Sequence, residues 1–349
     1  MEKRKARINK LLFRHLDALK FAEPNKECRI VAIGSKDGIE RFSIDTAHEG
    51  LVTEYHTFQD ALAGAVSFDK VPKEHKVAIN TIKNSMLDHK DQITLIVLVD
   101  NLIPTLRYFH SITSPLKDMG CIVATLYNRP IYIDPITDDK QHDDQVRMFR
   151  KAGQFALGNN GDGDYFEFGV FDGRTVTLAY QAFARKSNRM RLFGFDTFRG
   201  IVGTNKSEES SFPVGSFYSN IETFRHNMRT AGISEERFIG VAGDFLKIFK
   251  SPQDIYARYS MKKCALAHID CDVYEAAKSS LNFLSPLLTQ GSILLFDEFN
   301  VHKASNEHGE RRALREWLAD NPQFEVERWY DYGVSCRSYF VHERPIDIV

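Results

Sequence analysis

Two apolar runs in the C-terminal half of the chain each end in a pair of carboxylates. They are Cys264-Ala-Leu-Ala-His268-Ile-Asp270-Cys-Asp272 and Gly291-Ser-Ile-Leu-Leu-Phe-Asp297-Glu298. Buried-strand composition followed at once by acids puts charge at the C-terminal edge of a sheet, where open α/β sheets bind ligands. Four acids gathered there repel one another unless a cation or shared protons offset them, and a hard-metal site is the most economical reading.

Upstream lies Tyr165-Phe-Glu167-Phe-Gly169-Val-Phe-Asp-Gly173-Arg-Thr175, which reads as a strand carrying an acid, a turn with two glycines and a helix start. The glycines allow a tight turn and close approach of a ligand to the backbone, and Glu167 would direct a carboxylate at that ligand. The spacing differs from the G-x-G-x-x-G of dinucleotide sites, which disfavours a nicotinamide cofactor. The next strand ends in Phe195-Asp196-Thr-Phe-Arg-Gly200. An acid there suits a ribose diol, since a carboxylate accepts hydrogen bonds from both hydroxyls. Asp244, after the strand that follows, stands where an adenine contact would fall, and equally where a helix would take its N-cap.

Other groups near these motifs have two readings each. His268 lies inside an apolar run, where a packed core histidine is the plainer role. His302 and His308 flank the loop after the second acid pair and could touch substrate or simply face solvent. Glu275, beside Tyr274 after the first pair, suits a helix N-terminus. The polar loop 200–218, with Phe212, Phe217 and Tyr218, reads either as a lid or as an ordinary crossover.

The elements that must position these residues alternate. From residue 165 onward, strands at 165–169, 190–196, 238–242, 265–270 and 292–297 alternate with helices at 175–185, 221–231, 274–284 and 310–319. The runs 324–328 and 336–342 then form a candidate antiparallel edge pair. This order predicts a Rossmann-like, doubly wound, mostly parallel sheet. Residues 1–134 hold a smaller α/β segment with strands at 28–34, 93–99 and 121–126. A polar stretch at 135–144 and a helix at 145–157 serve as linker, so the domains run 1–134, 135–164 and 165–349.

The 349 residues, 43% hydrophobic and 27% charged, suit a soluble globular protein of two domains. A net charge of −1 gives no basic field to attract nucleic acid. No run reads as a membrane span or a targeting segment. The five cysteines are scattered and odd in number, which predicts a reducing, cytoplasmic setting rather than a disulfide framework.

Taken together, Glu167 to Thr175, Phe195-Asp196-Thr-Phe-Arg-Gly200, Ile269-Asp-Cys-Asp-Val-Tyr-Glu275 and Phe296-Asp-Glu-Phe299 resemble the macrocin O-methyltransferase-like family over residues 165–340. The resemblance implies a class I methyltransferase fold and transfer of a methyl group from S-adenosylmethionine to a hydroxyl of a sugar or glycosylated small molecule, with Mg²⁺. It implies Asp270, Asp297 and Glu298 as metal ligands and Asp272 as general base. Glu167, Gly169, Gly173, Thr175, Asp196 and Asp244 would hold the cofactor. Asp297-Glu298 departs from the family's usual Asp-Asp, and the longer glutamate must still meet the near-octahedral geometry that Mg²⁺ demands. Two rival functions remain at this level: a glycosyltransferase using Asp270-Cys-Asp272 for a metal–nucleotide-sugar, and a non-catalytic S-adenosylmethionine-binding scaffold.

The first segment carries an echo of the second. Ile30-Val-Ala32-Ile-Gly34-Ser-Lys-Asp37-Gly38 matches the glycine turn with Ala32 in place of Glu167. Tyr55-His56-Thr-Phe58 matches the run around Asp196, and Gly120 to Asn128 matches Gly291 to Asn300 without the acids. A degenerate Rossmann-like domain in a homo-oligomer is one reading; chance likeness between βα turns is the other.

Overall fold

The computed structural model describes residues 2–35, 39–40, 42, 54–58, 71–99, 108–109, 112–125, 140–161, 163–187, 189–203 and 212–344. In chain order the main elements are α1 (Glu2–Ala22), β1 (Cys28–Gly34), β2 (Glu54–Thr57), α2 (Lys73–Asp88), β3 (Ile93–Val99), β4 (Ile122–Thr125) and α3 (Lys140–Asn159). There follow β5 (Asp164–Phe168), α4 (Arg174–Ala182), β6 (Leu192–Asp196), α5 (Ile221–Thr230), β7 (Phe238–Ala242) and α6 (Pro252–Tyr259). The chain then forms β8 (Cys264–Ile269), α7 (Tyr274–Leu284), β9 (Ile293–Phe296), α8 (Gly309–Asp320), β10 (Phe324–Tyr332) and β11 (Cys336–Glu343). Among the described residues no helix is long and apolar enough to cross a membrane.

Contacts divide the chain into two compact units. The first comprises Met1–Tyr132 with Phe198–Ile201 and Val214–Gly232. Its four strands pair in the order β2-β1-β3-β4, every pair parallel. Successive side chains of a strand point to opposite faces. Val31, Ile33, Ile96 and Leu98 accordingly pack with Ile79 and Ile82 of α2, while Ile30, Ala32, Leu95 and Val97 pack with Leu12, Leu16 and Leu19 of α1. Helix α5 groups with this unit, although the sequence pattern places it in the C-terminal domain. Its Thr223 Oγ1 accepts the backbone N–H of Val123 at 3.1 Å, and its N-cap Asn220 donates to the carbonyls of Lys117 and Cys121, each at 2.9 Å.

The second unit comprises Ile133–Thr197, Val202–Pro213 and Ile233–Val349. Residues 135–139 of the expected linker lie outside the described residues, and 140–144 open α3, which runs longer than the 145–157 expected from sequence. Asp144, in the second turn, lies toward the positive end of the helix dipole. Seven strands order β10-β11-β9-β8-β5-β6-β7, with β11 antiparallel to both neighbours and the rest parallel. The two C-terminal runs thus form the expected antiparallel edge pair. β5, β8 and β9 are buried along their whole length, as strands covered on both faces must be. Stacked rings reinforce the core, including Phe168 on Phe195 with centroids 5.0 Å apart.

Strand order reverses between β5 and β8, which opens a crevice at their C-terminal ends. Register places both acid pairs beside it. Ile269 pairs with Phe168 on one side and Phe296 on the other, so Asp270 and Asp297 leave adjacent strands side by side. The Asp270 N–H donates to Phe168 O at 2.9 Å and the Asp297 N–H to Ile269 O at 3.1 Å.

Candidate active site

The glycine turn leaves β5 directly over the first acid pair. Gly169 has φ +88°, and a Cβ there would lie 1.7 Å from the carbonyl oxygen of Asp270, so only glycine fits. Gly173, also at φ +88°, caps α4. Asp196 at the end of β6 holds the turn from the other side: its Oδ2 accepts the backbone N–H groups of Val170 at 3.0 Å and Phe171 at 2.9 Å. Glu167 is fully buried in β5 and accepts hydrogen bonds from Tyr165 and Thr175. Burial pushes its carboxyl up against the opposing pull of His268 and these donors. Asp244 caps the short helix Phe245–Ile248 by accepting from Leu246 N at 3.0 Å, the structural role that its position allows beside an adenine contact.

The acids divide into two overlapping sets. Asp270, Asp272 and Glu298 offer oxygens that all lie within 4.8 Å of one another. His268, Asp270 and Asp297 do the same, so Asp270 is common to both. Asp272 adopts φ +64°, a left-handed conformation that a non-glycine residue holds only where its surroundings impose it.

Burial and mutual repulsion push the carboxyls of Asp270 and Glu298 well above the ordinary carboxylate range. Asp297 moves the other way. Burial raises it, but the His268 imidazole, the Arg174 guanidinium and the Cys336 thiol together outweigh burial and bring it down to about 2. His268 is wholly buried, stands edge-on to Phe149, and has no hydrogen bond at either ring nitrogen. Its nearest carboxylate oxygens are Asp297 Oδ1 at 3.8 Å and Glu167 Oε2 and Asp270 Oδ2 at 4.0 Å each. It is therefore buried, as the plainer reading has it, but between Glu167 and the strand-end acids Asp270 and Asp297.

Sequence patterns did not single out two neighbours of this cluster. Gln145 on α3 donates to Asp297 Oδ1 at 3.2 Å and accepts from Arg174 Nη1 at 3.0 Å, tying the helix before β5 to the strand-end acids. Glu310, in the first turn of α8, is 1% exposed and accepts the Glu298 N–H at 3.1 Å. Gln145 sits 152 residues from Asp297, so no spacing marks it, whereas Glu310, 12 residues after Glu298, reads from sequence as an ordinary helix-start acid. His302 packs its ring 5.7 Å from Phe212 and 5.8 Å from His308, and His308 meets Ser305 Oγ at 3.2 Å. Residues 204–211 of the possible lid lie outside the described residues.

The cluster suits a hard divalent cation. Its donors are predominantly carboxylate oxygens, and buried oxygens of Glu298 and Glu310 lack any hydrogen-bond partner. A buried carboxylate oxygen without donor or cation is costly.

Residues 166–299 match the model of a family described as a methyltransferase domain. The match places a methyltransferase domain on residues 166–299, within the seven-stranded sheet with its reversed β11. The match agrees with the resemblance to the macrocin O-methyltransferase-like family carried by the sequence motifs. Among solved structures the chain is similar to the O-methyltransferase NovP, with 19% identity, TM-score 0.48, and coverage of 58% of this chain and 80% of that one. It is also similar to CalS11, a calicheamicin methyltransferase, with 19% identity, TM-score 0.47, and coverage of 82% and 98%. Apo CalS11, a TDP-rhamnose 3'-O-methyltransferase, shares 23% identity at TM-score 0.40, with coverage of 60% of this chain and 89% of that one. No curated protein sequence matches the chain.

Proposed function

We propose that the second unit transfers the methyl group of S-adenosylmethionine to a hydroxyl of a sugar or glycosylated small molecule, with Mg²⁺ held by Asp270, Asp297 and Glu298. The observation that carries this reading is the register that sets two acidic strand ends side by side, next to the glycine turn at the crevice of the sheet. The cofactor lies against Glu167, Gly169, Gly173, Thr175, Asp196 and Asp244 in this reading.

A sulfonium methyl is already electrophilic, so the remaining task is to activate the hydroxyl. A bound divalent cation lowers the pKa of a coordinated hydroxyl. Asp272, held beside Asp270 in its constrained conformation, takes the proton as general base. Gln145 and Arg174 fix Asp297, and Asp196 fixes the turn on which the methyl donor rests. Positioning both reactants contributes a large further share of the rate. All five cysteines are unpaired, which fits a reducing cytoplasm as the site of the reaction.

One observation favours a variant of this arrangement. Asp272 belongs to the same donor set as Asp270 and Glu298, whereas Asp297 groups with His268. Asp272 would then be a ligand, and Asp297 would balance the imidazole. Asp272→Asn separates the two: retained Mn²⁺ affinity with suppressed transfer marks a base, and lost Mn²⁺ affinity marks a ligand.

The function itself is tested by incubating the protein with methyl-labelled S-adenosylmethionine and a pool of nucleotide sugars and glycosides, with Mg²⁺ or with EDTA. Label in a sugar product, lost in EDTA, is expected. Transfer that is indifferent to EDTA would remove the metal, and transfer of a glycosyl group in place of methyl would favour the glycosyltransferase alternative.

A further inference from the structure

Glu310 has more structure around it than a helix-start acid needs. An acid in the first turn of α8 is favoured by the helix dipole even when exposed. Here the side chain is 1% exposed, Oε2 accepts the Glu298 N–H at 3.1 Å, and Oε1 is buried without a hydrogen-bond partner. Glu298 Oε2 is buried and unpartnered in the same way. The charge of Glu310 acts on Asp270 and Glu298, and those of Asp272 and Asp297 act on it. Five carboxylates thus act on one another in a cluster that is only partly exposed, a costly arrangement unless positive charge enters it.

Helix α8 is itself anchored. Trp317 Nε1 donates to Ser285 Oγ at 2.8 Å, and Lys278 of α7 reaches Asp320 at 2.6 Å. Through Glu310 this fixed helix holds the backbone at the corner where β9 gives way to Asp297 and Glu298.

We propose that Glu310 is a positioning residue of the cation site, fixing Glu298 through Oε2 and adding a fifth negative charge to the cluster through Oε1. The inference rests on the metal reading above. Glu310 belongs to neither set of mutually close donors, so its part is to orient a ligand and charge the surroundings of the ion. Partners of this kind typically govern metal affinity strongly.

The test uses Mn²⁺ titration by calorimetry and thermal melting of the full chain, with and without Mn²⁺, for the wild type, Glu310→Gln and Glu310→Ala. Glutamine keeps an acceptor for the Glu298 N–H and removes the charge. Glu310→Gln should weaken Mn²⁺ binding by about 10- to 100-fold while raising the melting temperature of the metal-free protein. Glu310→Ala should lose at least as much affinity. Wild-type Mn²⁺ affinity in Glu310→Gln, or a metal-free melting temperature below that of the wild type, would overturn the proposal. A folded wild-type chain that binds no Mn²⁺ would overturn the metal reading itself, and the role of Glu310 with it.

Discussion

Gly34 and Gly169 occupy the same point in two runs of four parallel strands. One follows the order β2-β1-β3-β4 and the other contains β6-β5-β8-β9, so each glycine ends the strand beside the reversal of strand order. A Cβ on Gly34 would lie 2.6 Å from Val99 O, as one on Gly169 would lie 1.7 Å from Asp270 O. What differs is the chemistry at the strand ends. Ala32 stands where the second unit has Glu167, and the neighbouring strand reaches the glycine with Val99 where the second unit has Asp270. The same local strand order is present twice, and the strand-end acids cluster beside one of the two. A fold positions chemistry without supplying it.

The register also corrects the echo between the halves. Sequence likeness aligns His56 with Asp196, but Thr57 is the residue paired with Gly34, and His56 pairs with Ile33. In the second unit the Gly169 N–H donates to Phe195 O at 2.8 Å, which puts Asp196 beside Gly169. A one-residue slip sends a side chain to the other face. His56 instead meets Glu54 at 3.1 Å.

The largest effect that would sharpen this contrast is on turnover. Asp297→Asn should abolish metal-dependent methyl transfer while sparing S-adenosylhomocysteine affinity, as read by product assay and calorimetry; unchanged turnover removes Asp297 from the site. Asp272→Asn should slow transfer by about 10²- to 10⁴-fold if it is the base, and a normal rate would assign that task elsewhere. Next come the paired glycines. Gly169→Ala adds backbone strain at φ +88° to the clash and should cost about 3 kcal/mol or more by denaturant melting, with cofactor affinity lost. Gly34→Ala should destabilise the protein without lowering cofactor affinity per folded molecule.

The two units should also answer oppositely to pH. Burial lowers His15 to about 4 and holds His226 well below its usual value. Their stabilisation is complete above pH 6.5 and is lost as pH falls toward 4, because the unfolded chain binds the protons. Asp270, Glu298 and Glu310 are raised by burial first and then by neighbouring carboxylates, Asp297 foremost. Without metal, their contribution is complete below the ordinary carboxylate range and is lost as pH rises through the folded values. Above pH 6.5 the histidines are uncharged in both states, so in EDTA the acids alone among these groups set the slope, and Mn²⁺ should flatten it. Melting that rises with pH there in EDTA would contradict the clustering. The smallest change expected is Asp244→Ala, which removes one helix cap and should cost about 1 kcal/mol.

Much of this was legible in the chain itself. Apolar runs such as Cys264-Ala-Leu-Ala-His268-Ile are long enough to mark buried strands, and acids directly after them must fall at the sheet edge. The glycines of the turn were legible for the same local reason. Gln145 and the surroundings of His268 were not, because their partners are set by packing between elements distant in sequence; Glu310 was not, because an acid at a helix start already has a plain role there. The grouping of α5 with the first unit was equally hidden: its alternation with β6 and β7 is what a doubly wound sheet shows, and only contacts such as Val123 with Thr223 reveal its partner.

The claim that the methyl-donor site belongs to one of two similar sheets is tested most directly by calorimetric titration of the full chain with S-adenosylhomocysteine, comparing Asp196→Ala with Thr57→Ala. We expect one molecule per chain, binding lost or strongly weakened in Asp196→Ala, and binding retained in Thr57→Ala. Two molecules per chain, or binding that survives Asp196→Ala and fails in Thr57→Ala, would contradict the account.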